Sequence, residues 1–404
     1  MVFKIAWRNI WRNKMRSMVV IMAIIIGVIA VIFLSGFSLG MGQSYVQNAI
    51  ENEVSHLQIH HPKFKEDKEI QYSLSDGDKL LENLKKNKLV KVASLRTIVS
   101  GMISSSRGVR GVQIKGILPD EEALLTNLRK HLIEGQYFKS GKNSGILVSK
   151  RLAEKLKLKL RKKISLRFQD EENNLVEAGF RVVGIFETDN RTFDEANVFV
   201  RKDQISKYFQ KKNATQEAAL LLHDIHQVEN LQASLQKQYP NLSIENYKQI
   251  SPEIELFNSQ IKLSSSIFTF IVMLGLIFGI INTMLMAVLE RIRELGMLMA
   301  IGMNKVKVFS MIVIETILLG IISAPIGLLL GYLLVNKLNK TGIDLSRWSS
   351  GMKEFGLSGI VYPLLDHGVI LQLALAVFIT AFLASLYPAF KAIQLRPVEA
   401  VRTI

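Results

Sequence analysis

Glu290-Arg-Ile-Arg-Glu-Leu-Gly-Met-Leu-Met-Ala-Ile-Gly-Met-Asn304 stands between two long apolar runs, Ser266–Leu289 and Val308–Val335. Each flanking run is long enough to cross a bilayer as a helix, so the charged segment between them is a tight connection at a membrane surface. A compact helix with charges at Glu290, Arg291, Arg293 and Glu294, on the side carrying excess Arg and Lys, is expected to be offered to a soluble partner.

Two further apolar runs complete the set. Met18–Gly40 carries no charge over 23 residues, which as a helix spans ~35 Å and covers a bilayer core. Val369–Tyr387 is the last run, and Pro325 inside the third predicts a kink or tilt there. The chain has 404 residues, of which 49% are apolar, with mean hydropathy +0.22. Those averages conceal a division, because the interval 41–262 is polar and rich in Lys. The expected order is a cytoplasmic amphipathic helix over 1–17 and spans at 18–40, 266–289, 308–335 and 369–387. An extracytoplasmic stalk and domain fill 41–265, a cytoplasmic connection 290–307, an outer loop 336–368 and a cytoplasmic tail 388–404.

Orientation follows from basic residues in the short loops. Lys4, Arg8, Arg12, Lys14 and Arg16 precede the first span, Arg291, Arg293, Lys305 and Lys307 lie between the second and third, and Lys391, Arg396 and Arg402 follow the fourth. These segments are expected on the cytoplasmic side, with both termini inside. The first apolar core is too long for a cleaved signal peptide and no A-x-A-like site follows it, so an uncleaved anchor is expected. Absence of cysteine fits a domain that needs no disulfides. A net charge of +16 is assigned to solvated surface and anionic lipid headgroups in a four-span protein, not to nucleic acid.

Phe3, Trp7, Ile10 and Trp11 fall on one side of a helix at residues 1–17, with basic residues near the other, the pattern of an interfacial anchor. After the first span a helical period continues about 15 residues through Glu53 without Pro, and Pro252 opens a matching segment into the second span. Two such helices make a stalk. Between them the pattern is α/β. Strands are expected at Ser55–His61, Val90–Ser100, Val109–Ile117, Ile164–Phe168, Phe180–Phe186 and Ala196–Val200, and helices at Gly77–Lys86, Pro119–Leu132, Ser149–Leu158 and Val228–Tyr239.

Few residues point to chemistry. Gly135-Gln-Tyr-Phe-Lys-Ser-Gly-Lys-Asn143 has one residue too many between its glycines for a phosphate loop, and Asn where Ser or Thr must reach magnesium. His56, His60 and His61 are close in sequence, but no carboxylate or Cys stands beside them, so hydrogen-bonded histidines are expected, not a metal site. No nucleophile, base and orienter occur together, which argues against an enzyme. Glu315 is an acid inside the third span and Asn282 a polar residue inside the second. A buried acid in a membrane must be paired, and Arg291 or Arg293 at the same depth are its expected partners, locking the connection in place. Glycine pairs at spacing four, Gly36/Gly40, Gly275/Gly279 and Gly327/Gly331, predict close helix packing, including across a dimer interface.

The opening segment resembles the cytoplasmic coupling region of FtsX-like ABC permeases, roughly E-R-x-R-E-[IL]-G-x-[LM]-x-A-[LI]-G. Tyr387-Pro-Ala-Phe-Lys-Ala-Ile-Gln-Leu-Arg-Pro-Val-Glu-Ala-Val-Arg402 resembles that family's ending, Y-P-A-x-x-A-x-x-x-x-P-x-E-A-[LIV]-R. Gly145–Leu158 and Phe180–Phe186 are similar to the periplasmic core domain of macrolide-exporter and lipoprotein-releasing permeases. The resemblance implies a type VII ABC transporter permease: a membrane α-helical protein of four transmembrane helices with a large α/β extracytoplasmic domain on a helical stalk. It also implies two subdomains in the insert, divided near residues 100–105 and 215. Glu290, Arg291, Arg293, Glu294, Leu295, Gly296, Ala300 and Gly302 would then couple to a separate ABC ATPase dimer, which would bind ATP and Mg; this chain would hold no cofactor. A second permease, the same or a related chain, completes the expected assembly.

Ser55–His61 just after the stalk resembles lipoprotein-releasing (LolC/LolE-type) permeases, and an insert of about 220 residues is too large for the cell-division branch. The resemblance therefore implies lipoprotein extraction from the outer leaflet and transfer to a soluble periplasmic carrier. Acyl chains would meet Phe33, Phe37, Ile267 and Phe270. Macrolide or peptide efflux with an adaptor, and a mechanical relay to a cell-wall hydrolase or sensor kinase, remain alternatives.

Overall fold

In a computed structural model, residues 2–138, 144–210, 214–348, 351–352, 356–365 and 367–394 are described. The chain divides into two compact units, one of residues 1–42, 258–344 and 360–404 and one of residues 43–257 and 345–359.

The first unit is helical. Lys14–Ala49, Pro252–Glu290, Lys305–Thr341 and His367–Ile393 are its long helices, and each contains a window apolar enough to cross a membrane. Their common core is built from Val20, Ile24, Val28 and Ile32 of the first, Ile280, Met284 and Val288 of the second, Met311, Ile312 and Leu319 of the third, and Val377 and Ala384 of the fourth. Apolar area gives little selectivity between helices in lipid, so small residues that let backbones approach decide the packing. Cβ atoms added at Gly327 and Gly331 would meet Val28 and Ile32, and one at Gly40 would meet the Tyr362 carbonyl at 2.3 Å. Gly36 and Gly40 therefore pack within this chain, as do Gly327 and Gly331. Around Gly275 and Gly279 nothing lies within 4 Å, so only the pair of the second span is left open to a dimer partner. Buried Thr316 and Ser323 donate their hydroxyls to the carbonyls of Ile312 and Leu319 one turn earlier, at 3.1 and 2.5 Å.

The N-terminal helix, Val2–Arg12, packs Ala6 and Ile10 into the same core, while Phe3, Trp7 and Trp11 stay exposed. The expected grouping of Ile10 with the aromatic anchors is thus corrected. A stripe facing the bundle and a neighbouring aromatic stripe facing outward share this helix.

In the second unit ten strands form one sheet: β1 Leu57–His60, β2 Val90–Ser105, β3 Gly108–Ile117, β4 Leu132–Gly135, β5 Gly145–Ser149, β6 Lys163–Gln169, β7 Leu175–Phe186, β8 Asn197–Arg201, β9 Glu217–Leu222 and β10 Ser243–Asn246. Their order is β10-β1-β9-β2-β3-β8-β5-β7-β4, with β6 also pairing β2 and β7. β3–β8 and β5–β7 are parallel, and the other pairings are antiparallel. β2 is the shared element. Residues Val90–Arg96 pair with β9, and Thr97–Ser105 pair with β3. Each half of the sheet has its own core, Leu57, Leu84, Leu95, Leu220 and Leu231 on one side of the handover and Ile103, Ile114, Val148, Leu166 and Val182 on the other.

Helix termini follow local chemistry. Ser149 and Asn190 accept from the amides of Leu152 and Phe193, and Asn246 with Gln249 forms a capping box. The helix expected over Pro119–Leu132 stops at Leu125, because Thr126 turns extended and Leu132–Gly135 joins β7 as β4. β4, β5, β9 and β10 are strands that periodicity did not predict.

Helix packing gives a contrast that can be measured. Gly40→Ala should cost about 1–3 kcal/mol through its clash with the Tyr362 carbonyl, read as a lower unfolding midpoint in detergent. Gly275→Ala should be neutral or stabilising by up to ~1 kcal/mol from helix propensity. Equal effects of the two changes would contradict this packing.

Candidate functional site

The charged segment forms a short helix, Ile292–Ala300, isolated by a break on each side. Pro252–Glu290 ends at Glu290, and Arg291 leaves helical geometry with φ −104° and ψ 16°. At the other end Gly302 sits at φ +102°, in the left-handed region that glycine adopts without a Cβ penalty. Asn304 then caps the third long helix by accepting from the Val306 amide at 3.2 Å.

Three ionic contacts fix this helix within its unit. Arg16 pairs with Glu290, and Arg12 with Glu294. Arg291 donates from Nη1 to Glu315 Oε1 at 3.2 Å and from Nη2 to the Asn9 carbonyl at 3.3 Å. Arg291 is 8% and Glu315 7% exposed, so this contact is shielded while the other two are open to solvent. Glu315 is thus paired by Arg291 from the start of the short helix. Exposed ion pairs contribute little, but breaking a buried one leaves an uncompensated charge.

These contacts revise what the segment can present to a partner. Arg291, Leu295 and Gly296 are buried in their own unit, so none of the three is a surface contact, and Glu290 and Glu294 are engaged by the N-terminal arginines. Arg293, Met297, Ala300, Ile301 and Gly302 are exposed, Ile301 at 85%. Met297 and Ile301 were not singled out from sequence, although they lie four apart and so share one helical face. Nor does the sequence single out Asn9, Arg12 and Arg16 as partners; its basic run reads there as a sign of orientation and of an interfacial helix.

The other predicted residues are dispersed. Asn282 is exposed, Phe33 and Phe37 are half-buried with ring centroids 6.1 Å apart, and Ile267 and Phe270 are 50% and 64% exposed. His56 accepts the Leu222 amide at Nδ1 (2.8 Å), and its burial, with Lys91 nearby, lowers the imidazole below its ordinary range. His60 lies 3.2 Å from the Gln216 carbonyl at Nδ1 and 3.0 Å from Gln58 Oε1 at Nε2, and His61 Nδ1 accepts the Lys63 amide at 3.3 Å. The histidines are thus structural. Among the described residues, no three His, Cys, Asp or Glu side chains are placed to hold a metal. Of the near phosphate loop, Gly135 ends β4 and Gln136–Phe138 follow it; Lys139–Asn143 lie outside the described residues. So do Arg396, Pro397, Glu399 and Arg402 of the tail pattern.

A second buried ionic group occupies the sheet unit. Arg96 donates from Nε and Nη2 to both oxygens of Glu122 at 2.9 and 2.6 Å, and from Nη1 to Glu217 at 2.6 Å. Burial alone would push the Glu217 carboxyl up, but Arg96, His60 and Lys115 together outweigh that and hold it below the usual carboxylate range.

Residues 17–238, more than half of the chain, match the family described as MacB-like periplasmic core domain, and residues 266–397 match the FtsX-like permease C-terminal family. The lipoprotein-releasing system transmembrane protein LolE of Haemophilus influenzae is 23% identical over 80% of this chain and 80% of its own length. An uncharacterized ABC transporter permease of Bacillus subtilis, YvrN, is 26% identical over 55% of this chain and 54% of its own, so the chain spans about half of that relative. The periplasmic region of MacB from Actinobacillus actinomycetemcomitans aligns with 52% of this chain and 97% of its own, at 12% identity and a TM-score of 0.33.

The shielded contact makes a direct prediction. Arg291→Ala strands Glu315 and should cost about 3–5 kcal/mol, whereas Arg291→Met with Glu315→Met should recover most of the loss. Thermal unfolding of the full chain in detergent reads both, and a harmless Arg291→Ala would remove the pair from the account.

Proposed function

The chain belongs to the FtsX-like permeases with a MacB-like periplasmic core domain, and from that premise we propose that it converts nucleotide-driven motion of a separate ATPase into movement of its extracytoplasmic unit to release lipoproteins. It is an ABC transporter permease of the FtsX, MacB and LolE type. The observation that carries the coupling role is the short helix Ile292–Ala300, fixed on its inner side by Arg291, Arg12 and Arg16 and presenting Met297 and Ile301 outward.

A lever needs a rigid attachment and a free face. The ionic contacts supply the first, so a push on the exposed face moves the N-terminal helix and the third span together. Helices Lys14–Ala49 and Pro252–Glu290 continue unbroken past the residues where one unit gives way to the other, which favours them as the elements that carry the motion outward. ATP and Mg belong to the partner ATPase in this reading, and a second permease, the same or a related chain, completes the pair. The short helix and both termini face the cytoplasm of a bacterial inner membrane.

The chain has no cysteine, so Ile301→Cys creates a single thiol that tests docking and orientation together. Membrane-impermeant maleimide should leave it unlabelled in intact cells and label it in inverted vesicles stripped of ATPase. Adding the ATPase should protect it. Labelling from outside would overturn the orientation, and labelling indifferent to the ATPase would overturn the docking face.

Lipoprotein release is supported by the alignment with LolE over 80% of both chains and by the apolar side chains exposed at the outer end of the second span, Ile267 and Phe270. Acyl chains from the outer leaflet would lie against these and against Phe33 and Phe37, at ~0.8 kcal/mol per buried CH₂. A soluble carrier would then accept the lipoprotein. The MacB-like core domain favours a second reading, efflux of a macrolide or peptide through an adaptor. Photo-crosslinkers at Phe37 and Phe270 should capture lipoprotein, with higher yield when ATP is withheld. Capture of phospholipid alone, with an adaptor bound to the outer unit, would favour efflux.

A further inference from the structure

A cavity of about 440 Å³ lies beside the short helix, wholly within the membrane unit, and Met297 and Ile301 of the exposed face line it too. Its volume is in the range that takes ligands of small-molecule size, about 300–1,000 Å³. Met284, Leu298 and Met311 supply an apolar wall, and Arg8, Arg12 and Arg291 line the same space. Glu294 and Glu315 also line it, but each is paired, with Arg12 and Arg291. Arg8 has no ionic partner among the described residues, so the lining carries one uncompensated positive charge. Arg291 Nε adds a buried donor without a hydrogen-bond partner among the described residues. Such a group is costly unless an acceptor reaches it. Trp7 and Trp11, exposed on the helix that supplies Arg8, are side chains suited to headgroup depth.

We propose that this cavity binds an anionic phospholipid of the cytoplasmic leaflet, its phosphate at Arg8 and Arg12 with an oxygen toward Arg291, and its first acyl segment along Met284, Leu298 and Met311. One net positive charge beside a thioether-rich apolar wall fits a phosphate joined to a flexible chain better than a free anion or a neutral tail. Methionine side chains adapt to irregular apolar partners. The bound lipid links the N-terminal helix to the short helix, so it stiffens the lever. The leaflet rests on the orientation proposed above. Lipid binding is measured in detergent, where orientation plays no part, so the two can fail separately.

The test uses the full chain purified in a neutral detergent. Its thermal midpoint is followed against phosphatidylglycerol, phosphatidylcholine with the same tails, and inorganic phosphate. Phosphatidylglycerol should raise the midpoint saturably, with the other two giving little. Arg8→Ala, which leaves both ion pairs intact, should weaken the apparent affinity for phosphatidylglycerol about fivefold, the effect of about one basic residue at an anionic headgroup. Leu298→Trp, which fills the cavity, should abolish saturation while the protein still unfolds cooperatively. Equal shifts with phosphatidylcholine, a full response to inorganic phosphate, or an unchanged affinity in Arg8→Ala would each overturn the proposal. If Arg8→Ala weakens capture of the ATPase while the lipid titration stays flat, the cavity serves a protein side chain and the proposal falls.

Discussion

The Arg291–Glu315 contact is the constraint on which the membrane unit depends. An acid in the third span is tolerable only with a counter-charge, and the counter-charge here comes from the first residue after the second span. The chain turns at Arg291, and from that turn the guanidinium reaches Glu315. The turn in turn starts the short helix and sets which of its faces is hidden. Arg291 also reaches the Asn9 carbonyl, so one side chain joins three segments distant in sequence. Removing it changes the attachment of the short helix as well as the charge balance of the span.

Much of this was legible in residues 290–315, and the rest was not, for identifiable reasons. Glu315 announced a need for a partner, and two arginines stood at the right depth. Choosing between them needed the turn geometry that puts Arg291, not Arg293, at the buried position. The pairing of Glu290 and Glu294 with Arg16 and Arg12 is visible afterwards as two series at matching spacing of four. Nothing in a single helical period says that two such series face each other. The partner-facing role given to Leu295 and Gly296 came from the length of the family pattern, which mixes residues that hold the helix with residues that could meet a partner.

The sheet shows a different limit. β9, Glu217-Ala-Ala-Leu-Leu-Leu222, is composed of residues that favour helices, yet it is buried between β1 and β2. Sheet position overrides intrinsic preference when both faces are covered. Its first residue is Glu217, placed opposite Arg96 in the register. The partner of that carboxylate lies 121 residues earlier in the chain, beyond the reach of any local pattern. Pro119 correctly marked the start of the helix that supplies Glu122, but only the pairing of β4 with β7 determines where that helix must stop.

β2 carries a mechanical consequence. Its 16 residues serve both halves of the sheet, changing partner at Arg96 and Thr97 without a chain break. Sliding one half past the other would therefore have to shear a ladder of in-register amide bonds, and Arg96, tied to Glu122 and Glu217, stands at the position of greatest stress. Torsion about the strand axis breaks none of these bonds, since a strand is soft in twist and stiff along its length. The strand thus joins the two halves as a tie rod, and the bonds from Thr97 to the Ala214 carbonyl and from Lys202 to Thr215 brace the joint against turning.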